Sequence, residues 1–229
     1  MTLAIALRGS NGLVLASDSR VSGAKSKDDS IKFLQLNRDI GIMTYGLAIP
    51  GGNTIRRLRD SVSQKQLAHF SQIVNETRIA AEIEYSDFLN TLTPEQIPNM
   101  VMSPVGFILA GFDSYESNQF KIYSYDSPSF VPNENDSVLA AQWQLSQVLC
   151  DYLQYPQMTV EQLKELAVIL LLKTSSFNNT VGGPIQIATV SYEKGFKQLH
   201  PDEVHKLIEE VQPKIIRFRS NALDIFEHL

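Results

Sequence analysis

The periodicity of the apolar residues switches back and forth along this chain, and that alternation restricts the folds open to it more than any single motif. Leu3 to Leu7 and Leu13 to Ala16 are strand-compatible runs flanking Gly9-Ser10-Asn11-Gly12. Asn-Gly in such a cluster supports positive φ, so the chain is expected to start with a hairpin. A Ser/Lys/Asp/Gly loop from Ser22 to Ser30 leads to a further run, Ile31 to Leu36, and Asp39 to Gly46 reads as another short strand. From Asn53 to about Leu92 the period becomes helical, with Ile55, Leu58, Val62, Leu67, Phe70, Ile73 and Val74 on one face. Two helices broken near Ser71 or Asn75 are the simplest reading. Val105 to Phe112 and Phe120 to Tyr125 form a second strand pair. A second helical pair follows, about Asp136 to Tyr155 and Thr159 to Thr174, with Thr159 as N-cap. A strand from Ile185 to Val190 and a helix from about Pro201 to Val211 complete the pattern.

A sheet has two faces to cover, so two sheets that pack together must each place helices on the outer side. The expected fold is therefore α+β, a four-layer αββα sandwich of two antiparallel sheets flanked by helix pairs. No repeat, linker or low-complexity stretch divides the sequence, and residues 1–229 are expected to form one domain. In the tail, about 213–229, Ile215, Ile216, Phe218, Leu223, Ile225 and Phe226 recur at amphipathic spacing. Packing on the body and contact with another subunit both fit that pattern.

Composition narrows the function. A 43% hydrophobic content suffices for a core without metal or disulfides, and the lone cysteine, Cys150, lies in an apolar-periodic stretch as a structural thiol that suits a reducing compartment. Net charge is −5 and no basic stripe interleaves with aromatics, which excludes the electrostatic footprint of a nucleic-acid binder. Residues Met1 to Leu7 have no charged leader, and the longest apolar run, Leu166 to Leu172, falls far short of a membrane span. A cytoplasmic protein without a membrane partner is expected. His69, His200, His205 and His228 have no HExxH spacing, and no phosphate-binding glycine loop or Gly-x-Ser-x-Gly elbow occurs, so neither metal nor cofactor is expected.

One place departs from ordinary core patterning: Asp18-Ser19-Arg20 puts charge where the second strand would otherwise continue apolar. Around it stand Thr2, the segment Gly12-Leu13-Val14-Leu15-Ala16-Ser17-Asp18-Ser19-Arg20, then Lys32-Phe33-Leu34-Gln35-Leu36, and Gly41-Ile42-Met43-Thr44-Tyr45-Gly46. In order and spacing these four elements resemble proteasome β subunits and the bacterial HslV and Anbu peptidases, with a slightly shortened loop before Lys32. Gly106 to Asp113, Phe120 to Asp126, Met158 to Glu161 and Gly182-Gly183 continue the likeness more loosely. The resemblance implies an N-terminal-nucleophile (Ntn) hydrolase fold and a threonine-type peptidase. Thr2 would be the nucleophile after removal of Met1, with its own α-amino group as base, a group that titrates near 7.7–8.0. It further implies Lys32 as the cation beside the nucleophile, Asp18 as the group that orients Lys32, and Gly46 as the oxyanion donor. Val21, Thr44 and Ala48 would line the specificity pocket. Implied partners are peptides or unfolded proteins, further copies of the chain in a homo-oligomeric ring, and an unfolding ATPase.

Three departures from the family pattern stand out. Its serine-bearing element aligns with Leu139-Ala140-Ala141-Gln142, its later aspartate and serine align with Asn178 and Val181, and Tyr45 is bulky where a small residue is usual. The first two keep open a catalytically silent ring subunit. An N-terminal-nucleophile amidase acting on a small molecule is a further alternative.

Overall fold

Alternate side chains along the strands separate into three apolar layers, and this separation organises the molecule. The computed structural model describes residues 3–19, 32–98, 104–141 and 144–227. One five-stranded antiparallel sheet has the order β10-β9-β2-β1-β8, formed by Gly195–Gln198, Ile185–Ser191, Gly12–Asp18, Leu3–Arg8 and Ser137–Ala141. The other has the order β3-β4-β5-β6-β7, formed by Phe33–Gln35, Ile40–Gly46, Val105–Asp113, Gln119–Asp126 and Asn133–Asn135. Five helices cover them: α1 (Ala48–Lys65), α2 (Phe70–Asn90), α3 (Gln144–Leu153), α4 (Val160–Phe177) and α5 (Pro201–Glu227).

In β1, Leu3, Ile5 and Leu7 join the layer beneath α4 and α5, whereas Ala4 and Ala6 face the second sheet. In β4, Ile40 and Ile42 pack under α1 and α2, whereas Met43 and Tyr45 point between the sheets. Strands covered on both sides lose the polar half of their alternation, which is why Leu3 to Leu7 reads as one unbroken apolar run. The four-layer αββα arrangement matches the expected fold class.

Several local expectations change. Residues Asp136 to Ala141 do not belong to a helix: Ser137–Ala141 pairs with β1 in the register Leu3↔Ala141 to Leu7↔Ser137, and the helix starts only at Gln144. Pairing on the open edge of β1 decides this segment. The break between the first two helices falls at Gln66, which takes a left-handed conformation (φ 50) and bonds back to Ser63 and Val62, rather than near Ser71 or Asn75. Positive φ among the described residues falls on other positions than Asn11-Gly12. Asn11 instead accepts the N–H of Val160 through its side chain, and Thr159 completes a capping box with Gln162 at the same helix start. The short strand β10 and the continuation of α5 to Glu227 also went unexpected.

These contacts orient the sandwich. The β1–β2 turn lies at the start of α4, while the end of α4 leads back through residues 178–184 to Asp18. The beginning of β1 and the end of β2 therefore share the edge of the sandwich to which the loop after α4 returns.

Candidate active site

The antiparallel register places Leu3, the first described residue, opposite Asp18, the last residue of β2. Asp18 is 1% exposed, and its carboxylate accepts two backbone N–H groups, Leu3 N to Oδ1 at 2.9 Å and Gly182 N to Oδ2 at 2.9 Å. One buried side chain thus ties the start of β1 to the loop after α4. Ser19 N adds a bond to Pro184 O at 3.1 Å, which pulls the same loop against the strand end.

Lys32, just before β3, is 8% exposed and is held by its backbone, donating to Gln186 Oε1 at 3.2 Å and accepting from Thr44 N at 3.4 Å. Burial lowers its pKa, opposed by attraction to Asp18. Burial likewise raises the pKa of Asp18, opposed by the two N–H donors and by Lys32. The two opposite charges are sheltered from water, and each steadies the ionised form of the other against the cost of that burial.

Gly46 ends β4 with φ +82 and is exposed. An alanine Cβ there would fall 1.8 Å from Pro104 O, the same oxygen that accepts Leu47 N at 3.0 Å. Helix α1 starts immediately after, with Leu47 at its N-cap and no side-chain cap. Thr44 faces the first turn of α1: a Cβ at Gly51 would meet its Oγ1 at 2.5 Å, and that hydroxyl donates to Gly106 O at 3.2 Å. Ala48 is exposed at the start of the same helix. Thr44, Gly46 and Ala48 are therefore neighbours on one side of the candidate site. Thr2 and Val21 lie outside the described residues.

The positions that depart from the family pattern have structural work of their own. Ala140 pairs with Ala4 and is buried between the sheets. Asn178 caps α4, and its Oδ1 accepts from Thr180 N at 2.9 Å and Thr180 Oγ1 at 2.7 Å. Val181 is buried beneath the helices. Together Asn178 and Val181 shape the turn that delivers Gly182 to Asp18. Gly182 and Gln186 were not singled out for this role from sequence, where the Gly182-Gly183 pair was the available signal.

A cleft of about 450 Å³ opens between β8 and the ends of β4 and β6, bordered by Tyr45, Pro104, Asp126, Ser137 and Ala140. A larger groove of about 760 Å³ lies between α1 and α2, but the ion pairs Arg57–Glu84 and Lys65–Glu76 occupy its polar groups. Among the described residues no group of three or more His, Cys, Asp or Glu could hold a metal ion, and no helix is long and apolar enough to cross a membrane.

Asp18→Asn tests the double acceptor. An amide would present its NH₂ to one of the two N–H groups, and a buried donor left unpaired costs about 1–3 kcal/mol. Chemical denaturation is expected to show a loss of up to that size, partly offset because the neutral amide is spared the desolvation of the carboxylate; a gain in stability would mean that the two bonds contribute less than that desolvation costs.

A family model described as Proteasome subunit matches residues 2–190. Comparison with curated proteins gives no match.

Proposed function

Since the chain belongs to the proteasome subunit family, we propose that it is a threonine-type peptidase whose nucleophile is Thr2, freed as the first residue by removal of Met1. The observation that carries the reading is the burial of Asp18 and Lys32 at the edge where β1 begins, with Asp18 bonded to the N–H of Leu3, the residue after Thr2. A sheltered cation there favours an alkoxide over a hydroxyl and an unprotonated amine over an ammonium.

In the proposed reaction the α-amino group takes the proton of the Thr2 hydroxyl as Oγ1 attacks the peptide carbonyl carbon. The negative charge that develops on the carbonyl oxygen is met by the Gly46 N–H. Collapse of the tetrahedral intermediate breaks the C–N bond, and the leaving amine takes the proton from the α-amino group. Water then hydrolyses the acyl ester and restores the threonine. Asp18 keeps Lys32 charged and fixes the start of β1, while Val21, Thr44 and Ala48 contact the side chain before the scissile bond. Substrates are peptides or unfolded proteins, admitted to a homo-oligomeric ring served by an unfolding ATPase.

A second reading, a silent ring subunit, draws on the structural employment of Ala140, Asn178 and Val181, which leaves those positions without the hydroxyl and carboxylate groups of the family pattern. Hydrolysis of fluorogenic peptides separates the two. Wild-type protein is expected to cleave them and Thr2→Ala to lose cleavage while folding and assembling unchanged. Equal cleavage by both would place the nucleophile elsewhere, and cleavage by neither would favour the silent subunit.

A further inference from the structure

Tyr45, Gly106 and Asp126 form one row across three neighbouring strands: Tyr45 of β4 pairs with Gly106 of β5, and Gly106 pairs with Asp126 of β6. Paired residues in such a row present side chains on the same face of the sheet. The Tyr45 ring lies over Gly106, where a Cβ would come within 2.2 Å of the ring Cζ. Its hydroxyl donates to Asp126 Oδ1 at 2.5 Å. An apolar side chain could fill this place between the sheets, so the phenol, the missing Cβ beneath it and the acceptor beyond it call for a common reason. Burial, and then the bond to Asp126, push the hydroxyl's pKa up, so it remains a donor at any working pH.

The brace ends at the peptide bond that joins Tyr45 to Gly46. The N–H of that peptide belongs to Gly46, the oxyanion donor in the reaction described above. On the far side, Leu47 N is anchored on Pro104 O at 3.0 Å. Between the two anchors stands a glycine at φ +82, a residue whose backbone has more freedom to turn than any other. Tyr45, Asp126 and Pro104 border one cleft, so the brace and the anchor of Leu47 N share a wall.

We propose that Tyr45 is a positioning residue: braced on Asp126 across Gly106, it sets the direction in which the Gly46 N–H points. The inference rests on the peptidase reading for its catalytic consequence, though not for its structural one.

The test compares wild type with Tyr45→Phe, Asp126→Ala and Asp126→Asn, by steady-state cleavage of a neutral fluorogenic peptide and by crystal structures of all four proteins. Tyr45→Phe and Asp126→Ala are expected to lower kcat about 10-fold while KM stays within about twofold, because a misdirected donor weakens the transition state more than the bound substrate. Asp126→Asn, which keeps an acceptor for the phenol, is expected to restore most of kcat; a general loosening of the sheet would not respond to that choice. In the crystal structures the Tyr45–Gly46 peptide is expected to rotate or split in the first two variants and to keep its orientation in the third. An unmoved peptide in Tyr45→Phe, or a change in KM alone, would overturn the proposal. If none of the proteins cleaves peptide, the peptidase reading fails and the orientation of that peptide decides the brace by itself.

Discussion

Gly46→Ala is expected to lower peptide turnover by at least about 100-fold, the size of effect that follows loss of one oxyanion donor. Two separate constraints act on the substitution. The added Cβ would fall 1.8 Å from Pro104 O, so the backbone of β4 or of residue 104 must move. At φ +82 the residue also sits in a region that costs an alanine about 1–2 kcal/mol. Both are relieved by rotating the peptide that carries the Gly46 N–H, which is the motion that would spoil the donor. A stability loss of about 1–3 kcal/mol, measured by chemical denaturation, should accompany the loss of turnover. Full turnover in Gly46→Ala would remove Gly46 from the site.

Lys32→Ala is expected to reduce labelling by a β-lactone probe by two or more orders of magnitude, about 2.7 kcal/mol or more in the barrier. The cation would no longer favour the threonine alkoxide, and Asp18 would remain buried without its attracting charge. Burial holds the Lys32 pKa below the ordinary 10.5, so the alkaline limb of the wild-type activity profile is expected at lower pH than for an exposed lysine. Between its lowered pKa and 10.5 the folded protein has released a proton that the unfolded chain still binds, so this group makes stability rise with pH across that window. Asp18 acts on the acid side: its raised pKa lets the folded state hold a proton that the unfolded chain has lost, so stability falls as pH rises from 3.8 through the raised value. Both groups therefore lower stability in their charged forms. Near wild-type labelling in Lys32→Ala would show that the lysine serves only packing.

The layers of this fold were legible because period-2 and period-3.6 patterns are local properties of the chain. Leu3 to Leu7 and Leu13 to Ala16 announced a hairpin, and the helical spacing of Ile55, Leu58 and Val62 announced α1. Segments decided by a distant partner were harder. Ser137–Ala141 carries alanines that suit a helix equally well, and only pairing with the open edge of β1 makes it a strand. The turn at Gln66 lacks the glycine that usually marks a left-handed helix end. Strand β10 is four residues long and gains its identity from pairing with β9.

The site divides the same way. Asp18, Lys32 and Gly46 stood out because charge at a strand end and a motif in fixed order can be read along one stretch of sequence. The bond from Gly182 N to Asp18 Oδ2 spans 164 positions, and no local pattern reports it. Tyr45 was visible only as an oddity; its partners, Gly106 and Asp126, lie on two other strands.

Tandem mass spectrometry of the intact protein after treatment with a β-lactone probe identifies the nucleophile by its adduct. The chain is expected to lack Met1 and to carry one acyl group on Thr2, the adduct being absent from Thr2→Ala. An adduct on any other residue, or a chain that retains Met1 and still cleaves peptides, would rule out Thr2 as the N-terminal nucleophile.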